Sequence, residues 1–373
     1  MTLAALALGV LALLLFPIAW LVRKLALRIV GVSPRRRVVV ARRVKDGIEL
    51  PQDALSSAPG EYGLWFGDGF QHHALVGAIE RTDNQRVVRT LVRSSADVPT
   101  DPFQAQLTGH VMHSPSEIDA SWEDVMVPLR GGNTAPAWLF RSDSKDAPWV
   151  VHVQGIRTSR LVTLRSVQAA KRAGLTSLVI TYRGAGDGPT VPVSSLGQRE
   201  WSDLADAIAY ARAHGAPEVF VVAWSMGAGI ALELLRREPK AFERLALVAP
   251  ATNWRRIVRR GVHRAGMPGF IASVVTWALG SPVASRLIGM SGPLDFDRLD
   301  WSHGFDLRIP TLVLHSRGDQ EIPFELTKEF AAAHPTVTLV ETKSAPHGWE
   351  ANVDPELFQS ALTTWLAPSS PDA

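Results

Sequence analysis

The chain has 373 residues, 46% apolar and 20% charged, with 29 Gly and 25 Pro spread along it. That is enough for two or three domains around a large core, and it excludes a disordered, collagen-like or coiled-coil protein. Cysteine is absent, which excludes disulfides, thiolate metal sites and a Cys nucleophile, and the net charge of +3 is unevenly placed.

Residues 1–45 hold nine Lys and Arg and no acid, leaving 30 bases against 36 acids in the rest of the chain. The positive excess belongs to the N-terminus, so nucleic acid is not expected as a partner of the whole chain. Leu3 to Val22 is a stretch of 20 residues without a charged side chain. As a helix rising about 1.5 Å per residue it would cross a hydrocarbon core about 30 Å thick. Nothing basic precedes Leu3 and Arg23-Lys24 follows at once, the reverse of a cleaved signal peptide. Residues 1–34 therefore predict an uncleaved single-pass transmembrane anchor with a basic juxtamembrane segment. The basic C-terminal flank places the remaining chain on the cytoplasmic side, with Arg35-Arg36-Arg37 near anionic lipid.

Residues 35–118 turn β-like. Val38–Val40, Tyr62–Phe66, His73–Arg81 and Arg86–Val92 read as strands, separated by the turn signals Gly67-Asp68-Gly69 and Asp83-Asn84. A small β-meander module of about 80 residues is the expectation. It holds no catalytic constellation, and its sequence singles out no partner. His72-His73 is not a metal site on this reading, because neighbours on a strand point to opposite faces.

Residues 119–373 change pattern again. A hairpin over Val125–Leu129 and Ala135–Phe140 leads into short apolar runs alternating with helices. Strands are predicted at Trp149–Val153, Leu178–Tyr182, Val219–Ala223, Leu245–Ala249, Thr311–His315 and Val337–Glu341. Helices are predicted over Leu161–Ala173, Arg199–His214, Met226–Arg237, Phe324–Ala333 and Pro355–Leu366. This is an α/β pattern, a mostly parallel sheet covered on both faces. Residues 250–308 are too long for an ordinary connection and helical in pattern. They predict a helical cap inserted over the C-terminal edge of the sheet, where such folds bind ligands. The competing reading is a pair of helices that only packs on the core.

The chemistry centres on Val219-Phe-Val-Val-Ala-Trp-Ser-Met-Gly-Ala-Gly229. Ser225 sits where a buried strand must reverse into a helix within one residue, a turn that strains the backbone and crowds the positions two before and two after it. Those positions are the small Ala223 and Gly227. A serine needs a base, and the base needs an acid to orient it. His347 lies in Ser344-Ala-Pro-His-Gly-Trp349, in the loop after the last strand, and is the candidate base. Asp319 follows strand Thr311–His315 and is the candidate acid, with Glu321 its near alternative. His315, inside that strand, reads as a core histidine. The loop after Leu245–Ala249 offers Asn253 and no nearby carboxylate.

Over about Asp119 to Ala367 the chain resembles the serine hydrolases of the α/β-hydrolase superfamily. The elbow Ala223-Trp224-Ser225-Met226-Gly227, the acid Asp319 and the base His347 stand in that family's order. The resemblance implies an oxyanion hole from the backbone N–H groups of Met226 and Ile156, the latter following Gln154-Gly155. It implies no cofactor and no metal. Two positions depart from the family pattern, Ala223 at the first elbow glycine and Gln154 at the usual histidine of the oxyanion loop. Tyr182 to Asp187 resembles the loop after the next strand, with Arg183 expected to tie loops together. A serine at the elbow argues against the dehalogenase and epoxide hydrolase branches, which carry Asp there. The expected activity is hydrolysis of carboxylic esters through an acyl-enzyme, on hydrophobic acyl esters or lipids given the apolar cap and the anchor. Acyl-peptidase-like or thioesterase activity is the alternative, and a catalytically inactive membrane-tethered binding scaffold is the reading from another class.

Overall fold

A computed structural model describes residues 3–34, 37–83 and 85–367, with the side chains of residues 3–15 outside that description. Arg35, Arg36 and Asn84, singled out above, lie outside the described residues. Helix α1 (Leu3–Val30) covers the predicted span. Much of that span falls on side chains that are not described, and among the described residues no helix is long and apolar enough to cross a membrane. From Phe16 onward α1 has two characters. Phe16, Ile18, Trp20 and Leu21 are exposed, whereas Leu25, Ala26 and Val30 are buried in the main core.

Six antiparallel strands follow: β1 (Val38–Val44), β2 (Gly47–Pro51), β3 (Tyr62–Phe66), β4 (His72–Thr82), β5 (Arg86–Ser94) and β6 (Phe103–Thr108). They close into a barrel in the order β1-β2-β5-β4-β3-β6. This corrects the predicted meander. Strand β2 pairs with β5 rather than with β3, and β6 bridges β3 and β1. Closure satisfies every strand edge internally, and the interior is filled by Ile48, Leu50, Tyr62, Leu64, Phe66 and Val76.

The second domain is an eight-stranded sheet in the order β14-β13-β12-β11-β9-β10-β8-β7. Its strands are β7 (Glu123–Pro128), β8 (Thr134–Phe140), β9 (Trp149–Val153), β10 (Thr176–Ile180), β11 (Val219–Trp224), β12 (Arg244–Val248), β13 (Thr311–Ser316) and β14 (Val337–Thr342). The β7–β8 hairpin is antiparallel, β8 runs antiparallel to β10, and the remaining pairs are parallel. Strands β9 and β11 are buried along their whole length, as near-continuous apolar runs require.

The helices are α2 (Leu164–Arg172), α3 (Trp201–Ala213), α4 (Met226–Arg237), α5 (Trp254–Arg264), α6 (Phe270–Gly280), α7 (Ala284–Ile288), α8 (Phe324–Ala333), α9 (Glu350–Val353) and α10 (Pro355–Leu366). Alternation along the strands sorts the side chains onto two faces. Val151, Val221 and Ala223 meet α3 and α4 on one face, whereas Val150, Phe220 and Val222 meet α2 and α10 on the other. The inserted segment leaves the carboxyl end of β12 and forms α5 to α7. Its inner side chains, among them Trp254, Val258, Val275 and Leu279, join the main core, and Arg264 donates to the Gln320 carbonyl at 2.6 Å beside the loop after β13.

Candidate active site

Between the last residue of β11 and the first of α4 there is one residue, Ser225, with φ 52° and ψ −115°. A positive φ at a non-glycine residue is strained and persists only where the surroundings over-determine it. Here they do. The Ser225 amide donates to the Val248 carbonyl at 2.9 Å, and Ala223 is fully buried. A Cβ on Gly227 would stand 2.8 Å from the carbonyl oxygens of Val153 and Gln154, so any larger residue there would push α4 off the sheet. One on Gly155 would stand 3.1 Å from the Ser225 Cβ, which places the loop after β9 directly against the serine.

Ser225, His347 and Asp319 come together from three loops. His347 Nε2 lies 2.8 Å from Ser225 Oγ, and His347 Nδ1 lies 2.6 Å from Asp319 Oδ2. A carboxylate accepts, so Nδ1 carries the proton and Nε2 faces the serine as an acceptor; this tautomer is assigned from the hydrogen-bond network. The other Asp319 oxygen, Oδ1, accepts the amides of Glu321 at 2.7 Å and Ile322 at 2.9 Å. Glu321, the alternative acid, has an exposed side chain and contributes its backbone amide to Asp319.

His315 is buried as expected, but it is more than a core histidine. Its Nε2 donates to Asp319 Oδ2 at 3.0 Å while its Nδ1 meets Thr327 Oγ1 at 2.7 Å. The acid is thus gripped by two imidazoles and two amides. Burial alone would push the Asp319 carboxyl up, yet His347 and the hydrogen bond from His315 hold it well below the usual carboxylate range. Burial likewise disfavours the imidazolium of His347, and the Asp319 charge outweighs it, holding the imidazole above its ordinary value.

Glu350, the first residue of α9, is a second group that sequence reasoning passed over. It is fully buried, and neither carboxyl oxygen is in hydrogen-bond geometry with a partner. Burial first, and the Asp319 charge second, push its carboxyl up from 4.5 to about 8; the backbone amides of Glu350 and Ser316 offset this only in part. The folded protein therefore keeps a proton that the unfolded chain loses, and stability falls as pH rises through the window from 4.5 to about 8. Glu350→Gln removes this cost. The variant is expected to be more stable than the parent by about 3 kcal/mol at pH 7 and equally stable at pH 4. Urea unfolding at the two pH values checks it; equal stability at both would mean that Glu350 is ionised in the fold.

Among the described residues, the atoms of His315, Asp319 and Glu350 lie within 4.8 Å of one another and form the group able to share a cation. Both Asp319 oxygens are already filled by donors, so the cluster reads as the proton network of the acid. In the barrel, His73 is buried with Nε2 2.8 Å from the His110 carbonyl, and His72 packs on Phe66.

Of the two implied oxyanion donors, Met226 directly follows the serine and Ile156 follows Gly155, which lies against it. Met226 opens α4, where the first N–H groups have no intrahelical acceptor. Ile156 follows Gly155, whose carbonyl accepts the Tyr182 hydroxyl at 2.8 Å. Gln154 is fully buried and its side-chain oxygen and nitrogen make no hydrogen bond. The next residue on the loop, Arg157 (φ 62°), donates to the last carbonyls of α1, at 2.7 Å to Arg28 and 3.2 Å to Leu27. A cation there complements the negative end of the helix. Arg183 binds the buried carboxylate of Asp203 through its backbone amide at 2.7 Å and its Nε at 3.0 Å, which ties the loop after β10 to α3.

Comparison with known proteins bears on the fold. A family model described as serine aminopeptidase, S33, matches residues 146–295, and a domain of unknown function, DUF8805, matches residues 36–108. An esterase of Pyrococcus furiosus, Pf2001, is similar in structure in two crystal forms. One has TM-score 0.53 at 18% identity, covering 68% of this chain and 95% of that chain. The other has TM-score 0.51 at 20% identity, covering 68% and 93%. No curated protein matches. The shared part is the α/β-hydrolase fold, to which the β-rich module is added.

Proposed function

We propose that this serine hydrolase cleaves carboxylic esters of hydrophobic acyl groups through an acyl-enzyme on Ser225. The observation that carries the reading is the unbroken contact from Ser225 Oγ through both nitrogens of His347 to Asp319, at 2.8 and 2.6 Å. His347 Nε2 takes the hydroxyl proton as Oγ attacks the ester carbonyl, and Asp319 steadies the imidazolium that forms. The amides of Met226 and Ile156 hold the tetrahedral oxyanion, whose loss of one donor typically costs about 3 kcal/mol. His347 returns the proton to the leaving alcohol. Water then enters by the same route and frees the acid. An inactive scaffold would have no use for a complete nucleophile, base and acid in contact.

The same reading places the protein at a membrane, anchored through residues 3–22, with the hydrolase domain on the cytoplasmic side. Support comes from the surface that α1 shares with the insert. Phe16, Ile18, Trp20 and Leu21 are exposed on α1, and Phe270, Trp277, Val283 and Leu287 are exposed on or beside α6 and α7, which pack against α1. Arg23, the first charge after the apolar stretch, donates to the Leu287 carbonyl at 3.2 Å, so on this reading α7 would lie near the headgroups. Large contiguous apolar surface rimmed by polar residues is a mark of such docking.

Labelling of the full chain by a fluorophosphonate, followed by a panel of esters from acetyl to octanoyl, tests the activity. We expect kcat/KM to climb with acyl length and to exceed that of an aminoacyl amide by more than about tenfold. The description of the family match, serine aminopeptidase, supports the second reading; a preference for the amide would establish it, and a thioester panel would expose thioesterase activity. Flotation with anionic vesicles tests the membrane part separately.

A further inference from the structure

We infer that the N-terminal β-barrel is a brace that positions His347, so that the hydrolase domain is complete only with the barrel docked on it. This rests on the reading of Ser225 and His347 as the working pair. His347 comes from a loop between β14 and α9, and loops are the mobile parts of a fold. A base must nonetheless be held within about 0.5 Å of its productive position. Its loop is pinned two residues before the histidine and again two residues after it, by different domains.

The first pin belongs to the sheet. The Ala345 amide donates to Ser316 Oγ at 2.7 Å, and Gly318 lies so close that a Cβ there would stand 2.8 Å from the Ala345 nitrogen. The second pin belongs to the barrel. The Trp349 indole packs on the Tyr62 ring with centroids 4.6 Å apart and joins the barrel core. Gly109, just past β6, faces the same indole, and a Cβ there would come within 3.0 Å of Trp349 Cδ1 and Nε1. Three residues further on, Asn352 Nδ2 donates to the Glu61 carbonyl at 2.7 Å and to the Gly109 carbonyl at 3.0 Å. Gly60 (φ 107°) presses against the Asn352 carbonyl so tightly that no side chain fits between them.

The barrel side of the contact is built to be stiff. Arg89 is fully buried, stacks 4.9 Å from the Tyr62 ring, and donates to the Ala58 carbonyl at 3.2 Å. The Tyr62 hydroxyl donates to the Pro59 carbonyl at 2.6 Å. The segment 58–62 that receives Trp349 and Asn352 is thus fastened from within a closed barrel, and its rigidity passes to His347 through two covalent residues. Nothing in this arrangement asks the barrel to touch substrate. Trp349, Asn352 and Gly109 are positioning residues.

The test uses the full chain and compares Trp349→Ala, Trp349→Phe, Asn352→Ala and the barrel-side variant Gly109→Val. Misplacing a catalytic group by about 1 Å costs about a hundredfold. Trp349→Ala is accordingly expected to lower kcat and the fluorophosphonate labelling rate about 10- to 100-fold with KM within about twofold. Its acidic limb should shift to lower pH as the His347–Asp319 pair loosens. Trp349→Phe, which keeps a ring against Tyr62, should recover most of the rate, and Gly109→Val should reproduce the loss from the other domain. If Trp349→Ala does not fold, Asn352→Ala removes only two hydrogen bonds and carries the same comparison. Labelling at the parent rate with an unchanged pH limb in Trp349→Ala or Asn352→Ala, whichever folds, would overturn the brace. If the parent protein itself is not labelled, the catalytic reading fails instead. The downfield proton resonance of the His347–Asp319 bond then decides the brace: it should exchange faster in Asn352→Ala, and equal exchange would overturn it.

Discussion

Ser225→Ala is expected to lower kcat by about five to six powers of ten while the fold stays intact. The loss is that of a nucleophile. Among the described residues no other hydroxyl bonds to His347 Nε2 in its place, and the residual rate would come from the oxyanion amides and binding alone. The fold survives for a local reason. The strain at Ser225 lies in its backbone, at φ 52° and ψ −115°, and is imposed by the packing of Gly227, Gly155 and Ala223 rather than by the hydroxyl. Alanine meets the same backbone cost, and the change removes one partly exposed hydrogen bond, to His347, worth about 1 kcal/mol. Fluorophosphonate labelling and urea unfolding of the variant separate the two effects. Retained esterase turnover in a folded Ser225→Ala protein would show that the nucleophile lies elsewhere.

The parts of the molecule legible in the sequence are those set by local chemistry. The run from Val219 to Gly229 declares a buried strand, a one-residue reversal and a helix, and β11, Ser225 and α4 occupy it with a boundary shift of one residue. Trp149–Val153, Phe324–Ala333 and Pro355–Leu366 coincide with β9, α8 and α10 for the same reason, since period and turn residues there agree. What stayed hidden is non-local. The barrel closes because β2 reaches β5 and β6 joins β3 to β1, pairings that no short-range pattern records. Strand β6, Phe103–Thr108, alternates Phe, Ala and Leu with Gln and Thr, but its pairing with both β3 and β1 is not written in that pattern.

The acid end of the site was half legible. Asp319 announces itself at the end of a strand, but the bond from His315 joins a strand residue to a loop residue four positions on, a relation with no fixed direction outside a helix. Glu350 looks in sequence like a solvated helix start, and only the fold shows that it is buried beneath Asp319 and His347. Trp349 and Asn352 carry no chemical signal either. Their partners, Tyr62, Glu61 and Gly109, lie some 240 to 290 residues earlier in the chain.

Asp319→Asn should be nearly as damaging as loss of the serine, with kcat lower by about four powers of ten, and the geometry explains why the amide cannot turn to help. The Oδ1 position accepts two backbone amides, from Glu321 and Ile322, so the asparagine oxygen is drawn there. Its NH2 group must then face His347 Nδ1 and His315 Nε2, both of which donate in the parent protein. His347 is driven to the opposite tautomer, with its proton on Nε2 pointing at Ser225 Oγ, where a base is needed. The pH profile should move at the same time. The Asp319 charge is what holds the His347 imidazole above its ordinary value against burial, so without it burial is unopposed and the imidazole loses its proton at lower pH. The acidic limb of kcat/KM is therefore expected to shift to lower pH as its plateau falls, whereas loss of a purely structural ion pair would leave the limb in place. Stability should lose the Asp319 share of its acid dependence too: a carboxyl held below 3.8 contributes stability above that pH that fades as pH falls through the depressed range, and asparagine has no such charge to lose. An unshifted limb with a lowered plateau would mean that Asp319 does not set the protonation of His347.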